Sequence, residues 1–269
     1  MFFQNKNAQA ILPLEGEGEQ VYSYRGLTYS GWIFRKGLEQ AELHAILEKG
    51  LSYLKEKGKK VLFLNPVPEF FCSESQSNYF QFLTLLGGKI LKTRDFYFTR
   101  LPFHIQDRGK RWGRKKAQKN RILIRQSSNL DEFWNQVLIP CLHERHQSQP
   151  IHSLEEIQLL KSRFPSQIAL WVATVDEQMI AGTILFLIGN VVHCQYIAST
   201  EMGRKLRALD LLFPQLMEEV FAEKSGFSLG TAVLPETGLP DIGLIHWKES
   251  FGAKPIAVPY FRFDLNSDI

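Results

Sequence analysis

Three consecutive apolar runs constrain this chain more than any other feature: QIALWVATV (167–175), MIAGTILFLI (179–188) and VVHCQYIA (191–198). The short breaks DEQ and Gly189-Asn190 predict tight turns between them. All three runs are apolar on both faces, which predicts a meander in the middle of a sheet covered on both sides. On one flank, LDEFWNQVLIPCLHERH reads as a helix bent at Pro140, and SLEEIQLLKSRF opens with Ser153 and Glu156 in capping-box spacing. On the other, Leu206, Leu209, Phe213, Leu216 and Val220 recur at helical spacing, predicting one long helix from Gly203 to Lys224 with a kink at Pro214. A strand FSLGT, a Pro- and Gly-rich loop, a short helix and a last strand within IHWKESFGAKPIAVPYFRFDL complete the series.

The first hundred residues alternate in the same way. VYSYRGLTYSGWIF predicts a hairpin, and Leu43, Leu47, Leu51 and Leu54 mark one face of a helix over 38–57. VLFLN reads as a buried strand, SNYFQFLTLL as a helix and FYFTRLPF as a strand. The net charge of +4 comes from one place. RGKRWGRKKAQKNRILIR (108–125) holds nine Lys or Arg and no acid, against 23 basic and 28 acidic residues elsewhere. Such a run suits a phosphate-bearing partner (RNA, a nucleotide or a lipid headgroup) or a solvated helix leading into a strand. Cys72, Cys141 and Cys194 are far apart and odd in number, as in a reducing compartment. The longest apolar run is too short to span a bilayer and the start lacks a secretory pattern, so a cytoplasmic protein is expected. No P-loop or Gly-x-Ser-x-Gly elbow is present.

The order strand, helix, helix, three strands, helix, strand, helix, strand over 122–265 resembles the GNAT acyltransferase fold. The segments RKKAQKNRILI, PIHSLEEIQLLKSRFP, QYIASTEMGRKLRALD and GLIHWKESFGA are similar to the FemAB-like branch of that superfamily, in which two GNAT-like halves share one chain. The resemblance implies an α/β fold with a mixed sheet flanked by helices, duplicated as a degenerate half at 1–105 and an acyltransferase domain at 106–269. It implies a cofactor site on the strand and turn after the meander, at Gln195, Tyr196, Ile197, Met202, Gly203, Arg204 and Lys205. The pyrophosphate would lie at a helix start, where unpaired N–H groups and the positive dipole end hold anions. Of the usual loop pattern (Gln or Arg, two residues, Gly, one residue, Gly or Ala), the chain keeps Gly203 and has Thr200 and Lys205 at the outer positions.

On a helical wheel Lys248 falls inside an arc of Leu244, Ile245, Trp247 and Phe251, with His246, Glu249 and Ser250 opposite. A lysine there must find a partner, snorkel or lower its pKa. Trp247-Lys248 lies four residues before Gly252 and resembles the aromatic-lysine pair of FemAB-like proteins, which implies a role in stabilising an oxyanion or leaving group. His193 is the natural candidate for a general base. It shares one strand face with Gln195, and Cys194 shares the other with Tyr196. His143, His146 and His152 cluster without a completing Cys or carboxylate set, so no metal is expected.

Two enzymatic functions and one other remain open. One is transfer of an activated acyl, aminoacyl or peptidyl group to an amine, from an acyl-CoA or an aminoacyl-tRNA. In that case tRNA would use Arg108, Lys110, Arg111, Arg114, Lys115, Lys116 and Lys119. Another is acetyl-CoA-dependent N-acetylation of a small molecule. The last is a non-catalytic module that binds RNA or an acidic partner through the basic run.

Overall fold

The structure, a computed structural model, describes residues 2–4, 7–25, 27–72, 78–234 and 237–266. Short alternating runs open the chain as β1 (Phe2–Gln4), β2 (Asn7–Ile11), β3 (Leu14–Glu17), β4 (Gln20–Ser23) and β5 (Ile33–Phe34). Helix α1 (Gln40–Glu56) starts at a Glu39/Glu42 capping box and buries Leu43, Leu47, Leu51 and Leu54, as their spacing predicts. β6 (Val61–Leu64), α2 (Tyr79–Leu85) and the long β7 (Lys89–Arg100) follow. The hairpin lies earlier than expected. β3 and β4 form it, turning at Gly18, whose φ of 57° suits a glycine. The two predicted strands part company: β4 pairs in parallel with β6, and β5 pairs with β2. The segment between them is drawn away where Ser30 N–H donates to the Asn65 carbonyl (2.7 Å); Gly26 lies outside the described residues.

The middle of the chain gives α3 (Arg108–Lys119), β8 (Leu123–Ser127), α4 (Leu130–Glu132), a π-helical stretch (Phe133–Leu138) and α5 (Ile139–His146). The bend expected at Pro140 takes the form of that π-helical stretch, where Ile139 N–H donates to the Trp134 carbonyl five residues back. α6 (Leu154–Arg163) has the reciprocal Ser153/Glu156 cap that its sequence predicts. The meander is β9 (Ile168–Val175), β10 (Gln178–Ile188) and β11 (Val191–Ser199), antiparallel throughout and almost wholly buried.

The single helix expected over 203–224 is instead α7 (Glu201–Lys205), α8 (Leu209–Gln215) and a π-helical stretch (Leu216–Val220). The break is at Arg207, whose φ is 65°. Ala208 N–H closes back on the Gly203 carbonyl at 2.8 Å. Pro214 sits inside α8, and the ladder widens just after it. β12 (Gly226–Thr231), α9 (Ile242–Glu249) and β13 (Lys254–Asp264) complete the described elements.

The chain forms two compact units, Met1–Asp95 with Ala257–Ile269, and Phe96–Ile256. This differs from a cut at 105/106, because β7 and β13 each run from one unit into the other. In the first unit the strand order is β3-β4-β6-β13, beside a small β1-β2-β5 sheet. Its core packs Leu43, Leu47, Leu51, Leu62, Leu64, Phe261 and Phe263. In the second the order is β7-β12-β11-β10-β9-β8. One cluster there joins Phe133, Trp134, Val137 and Ile157 to Leu170, Ile184 and Tyr196. Another joins Leu212, Phe213, Leu216 and Phe251 to Leu185, Cys194 and Phe227. The meander is therefore covered on both faces, as its composition requires.

Candidate active site

β11 and β12 run parallel, and their pairing is confined to Val191↔Gly226, Val192↔Phe227 and His193↔Ser228. Beyond it β11 continues to Ser199 and β12 to Thr231. Neighbouring strands that part midway leave backbone groups on their facing edges for a ligand. A shift of register opposite Ile184/Leu185 pairs Ile184 with Tyr196 and Leu185 with Cys194, so Gln195 is the extra residue of a β-bulge. The bulge overturns the expected alternation. Cys194 and Tyr196 do not share a face: Cys194 packs with Val192 and Phe213, Tyr196 with Trp134 and Ala198.

Lys248 is the buried residue of α9, 3% exposed, with Trp247, Leu244 and Ile245 half-buried beside it and His246 and Glu249 in solvent. The helix is fixed at its start by Asp241, whose carboxylate accepts from Leu244 N–H at 2.9 Å, and it ends at Gly252 (φ 74°). Lys248 Nζ donates to the Thr231 carbonyl, beyond the part of β12 that pairs with β11, and lies 5.6 Å from the Tyr97 ring centre. Burial lowers its pKa from 10.5 to about 8, against the smaller opposing influence of Cys194 and Asp241. An ammonium has three donors. Among the described residues one of them is engaged, by Thr231.

His193 faces the same parting. Its Nδ1 is 3.1 Å from Ser228 Oγ, and burial, then the Lys248 charge, lowers its pKa to about 4. Its imidazole is neutral at physiological pH. Burial pushes the Cys194 thiol well up, which keeps it protonated. The Tyr196 hydroxyl accepts from His152 N–H (3.1 Å) and lies 2.8 Å from His152 Nδ1. Gln195 and Ile197 are half-buried on the bulged strand.

The helix start at 200–205 is engaged within the fold. Thr200 Oγ1 caps it by accepting from Gly203 N–H at 3.1 Å, so the Gly203 amide expected to be open is taken. Glycine is needed there for another reason: a Cβ would lie 2.2 Å from the Ile180 carbonyl oxygen. Arg204 donates to the Ser199 carbonyl (2.8 Å), and Lys205 pairs with Glu201 (2.6 Å); Met202 is exposed.

The basic run forms α3 and divides in two. Lys110 is buried against Asp210 (2.8 Å), and Arg114 pairs with Glu218 (2.6 Å) and Glu219 (3.3 Å). Arg108, Arg111, Lys115 and Lys119 are exposed, and the half-buried Lys116 holds its ammonium 5.4 Å from the Trp112 ring centre. Among the described residues there is no cluster of three or more His, Cys, Asp or Glu suited to a metal, and no helix long and apolar enough to cross a membrane. The His146 side chain lies outside the described residues.

Sequence reasoning missed Ser228, Thr231, Tyr97 and Asp210. Thr231 and Tyr97 act through a backbone carbonyl and a ring face, which carry no sequence signal. Asp210 had one: it is a lone acid inside the apolar run ALDLLFPQL.

The second unit is thus a covered meander whose last strand parts from a parallel neighbour, with a buried lysine beside that strand pair. Residues 108–236, just under half of the chain, match the family model described as acetyltransferase (GNAT) domain. The fold is similar to the crystal structure of FemX (TM-score 0.71, 13% identity, covering 98% of this chain and 87% of that one). It is also similar to a C-terminal domain from Agrobacterium fabrum provisionally named lysylphosphatidylglycerol synthetase (0.62, 13%, 96% and 82%). A third is L-PGS from Bacillus licheniformis (0.61, 13%, 97% and 82%). No curated protein matches the chain. Residues 108–236 thus carry the match to a GNAT acetyltransferase domain, and the solved structures, at these identities, show the shared fold.

Proposed function

We propose that the protein transfers an activated acyl or aminoacyl group to an amine, with Lys248 as its catalytic cation. The observation that carries this is the placement of one buried ammonium at the point where β11 and β12 part, with Thr231 as its acceptor. The amine attacks the ester or thioester carbonyl carbon, a C–N bond forms and the carbonyl oxygen takes up negative charge. Lys248 donates to that oxygen. As the C–O or C–S bond breaks, the departing oxygen or sulfur takes a proton, which an ammonium of pKa about 8 is suited to supply near neutral pH. The amine gives up its own proton to solvent as the amide forms, and Lys248, having protonated the leaving group, regains one from solvent. A neutral imidazole of pKa about 4 is too weak a base for that step, so we assign His193 to holding Ser228 beside the parting.

An aminoacyl donor is favoured over acetyl-CoA because the Thr200–Lys205 turn caps its own Gly203 amide and pairs its own cations. One structural relative is named for a lysyl product, which is consistent with an aminoacyl group. If that donor is an aminoacyl-tRNA, the stripe of Arg108, Arg111, Lys115 and Lys119 beside the exposed Trp112 suits its phosphates and bases. Lys110 and Arg114 drop out of that surface, being paired inside the fold.

Thermal-shift titration with acetyl-CoA, longer acyl-CoAs and aminoacyl-tRNA is the test, since a ligand that binds only the folded state raises the midpoint. A rise with aminoacyl-tRNA, absent with the CoA esters, is the expected result. A rise with acetyl-CoA alone would move the assignment to N-acetylation. A response to deacylated and aminoacylated tRNA alike, with no transfer to any amine, would favour a binding module.

A further inference from the structure

One buried ion pair in the second unit has no part in the chemistry above. Lys110, 7% exposed, places its Nζ 2.8 Å from Oδ1 of Asp210 on α8. Asp210 also has Arg207 Nε 2.7 Å from its Oδ2, without hydrogen-bond alignment, at the break between α7 and α8. α3 comes so close that a Cβ on Gly113 would lie 2.1 Å from that Oδ2. The Lys110 ammonium is 4.4 Å from the Phe251 ring centre and 5.6 Å from that of Trp247. These two aromatic residues flank Lys248, one position before it and three after. Phe213 of α8 packs on both, at 5.4 and 5.3 Å.

α9 is eight residues long, too short to hold its position by helix propensity alone. An aliphatic side chain at 110 would fill space. A cation oriented by a carboxylate fixes direction as well, because it is attracted to the faces of the rings rather than to their edges. We propose that Lys110 is a positioning residue for Lys248: tethered by Asp210, it holds Trp247 and Phe251 and so keeps α9 at the depth that sets the Lys248 ammonium on the Thr231 carbonyl.

The inference rests on Lys248 being the functional ammonium. Its test reads the titration of Lys248 rather than turnover, so each idea can fail without the other. The groups facing Lys248 are His193 and Cys194 of β11, Tyr97 of β7, Thr231 of β12 and Asp241 at the start of its own helix. Those facing Lys110 are Asp210, Arg207 and Asp107.

The experiment is NMR of the protein labelled with 13Cε-lysine, with the Lys248 signal identified by its loss in Lys248→Met. The variant is Asp210→Asn, for which the two explanations predict opposite signs. Removing a carboxylate weakens proton binding at Lys248 if only the field matters. If the tether matters, α9 loosens, Lys248 is hydrated and its proton affinity rises by about tenfold or more toward that of an ordinary lysine. A rise supports the positioning role. An unchanged or lowered affinity overturns it, even if the melting temperature falls. Should Asp210→Asn fail to fold, Trp247→Leu changes no charge and carries the same forecast: a rise supports the clamp, and an unaltered titration overturns it.

Discussion

Replacing Lys248 by methionine removes one buried charge and keeps the side chain's volume. With its pKa lowered from 10.5 to about 8, holding that lysine charged in the folded state at pH 7 costs about 3 kcal/mol relative to the unfolded chain. The substitution also leaves the Thr231 carbonyl without its donor, which costs about 1–3 kcal/mol. At pH 7 the two effects nearly offset, so the variant should match the parent or exceed it by up to about 2 kcal/mol. From about pH 8 to 10.5 the unfolded parent keeps a proton that the folded parent has released, so parent stability rises with pH through that window. The variant has no such component. Subtracting the two stabilities cancels every other titration, and the difference should swing by about 3 kcal/mol in the parent's favour over that range. Urea unfolding of both proteins at intervals between pH 7 and 10.5 measures it. Over the same series parent turnover should decline above about pH 8 as the donor is lost, and at neutral pH the variant should turn over about 100-fold more slowly. Parallel stability curves would refute the buried, shifted lysine, and full activity in the variant would refute its catalytic role.

Gly203→Ala should lose about 1–3 kcal/mol, seen as a melting temperature several degrees lower, because the new methyl meets the Ile180 carbonyl; unaltered melting would mean that the helix start can retreat from the sheet. His193 binds its proton at about pH 4 folded and about 6.5 unfolded, so parent stability should fall by about 3 kcal/mol from pH 6.5 down to 4. In His193→Gln that component should vanish from the acid limb of a urea series, and its persistence would assign the proton to another group. The β9–β10 turn places Asp176 and Glu177 at φ 46° and 61°, so Glu177→Gly should raise stability by about 0.5–1 kcal/mol; a loss would show that its side chain has a role there.

How much of this was legible follows from which residues carry local information. The meander declared itself because strands buried on both faces must be apolar on both, and β9 to β11 are. The α6 cap was legible because Ser153 and Glu156 satisfy each other within one turn. Lys248 stood out as a charge among apolar neighbours. Asp210 obeys the same logic and passed unnoticed, since a single acid at a helical position looks solvated until its partner a hundred residues away is known. The Gln195 bulge was invisible because an inserted residue shifts alternation without altering composition, and it reversed the relation of Cys194 to Tyr196. The break at Arg207 escaped for a similar reason: leucine periodicity continues through it while the backbone turns left-handed.

The passage of β7 and β13 between units sets the order in which this protein can finish folding. The larger part of the first unit leaves the ribosome before the second, yet β6 lacks its antiparallel neighbour until Phe261–Asp264 have been made. At about 5–20 residues per second that interval is roughly ten to forty seconds. Throughout it, the edge of β6 and the apolar face of α1 await residues not yet synthesised. The second unit, which starts later, has all of its strands first, because Phe96–Arg100 already flank the place that β12 will take. Of the two units, the one whose translation begins earlier is therefore completed later, and the nascent first unit is the stage at which a chaperone has most to protect.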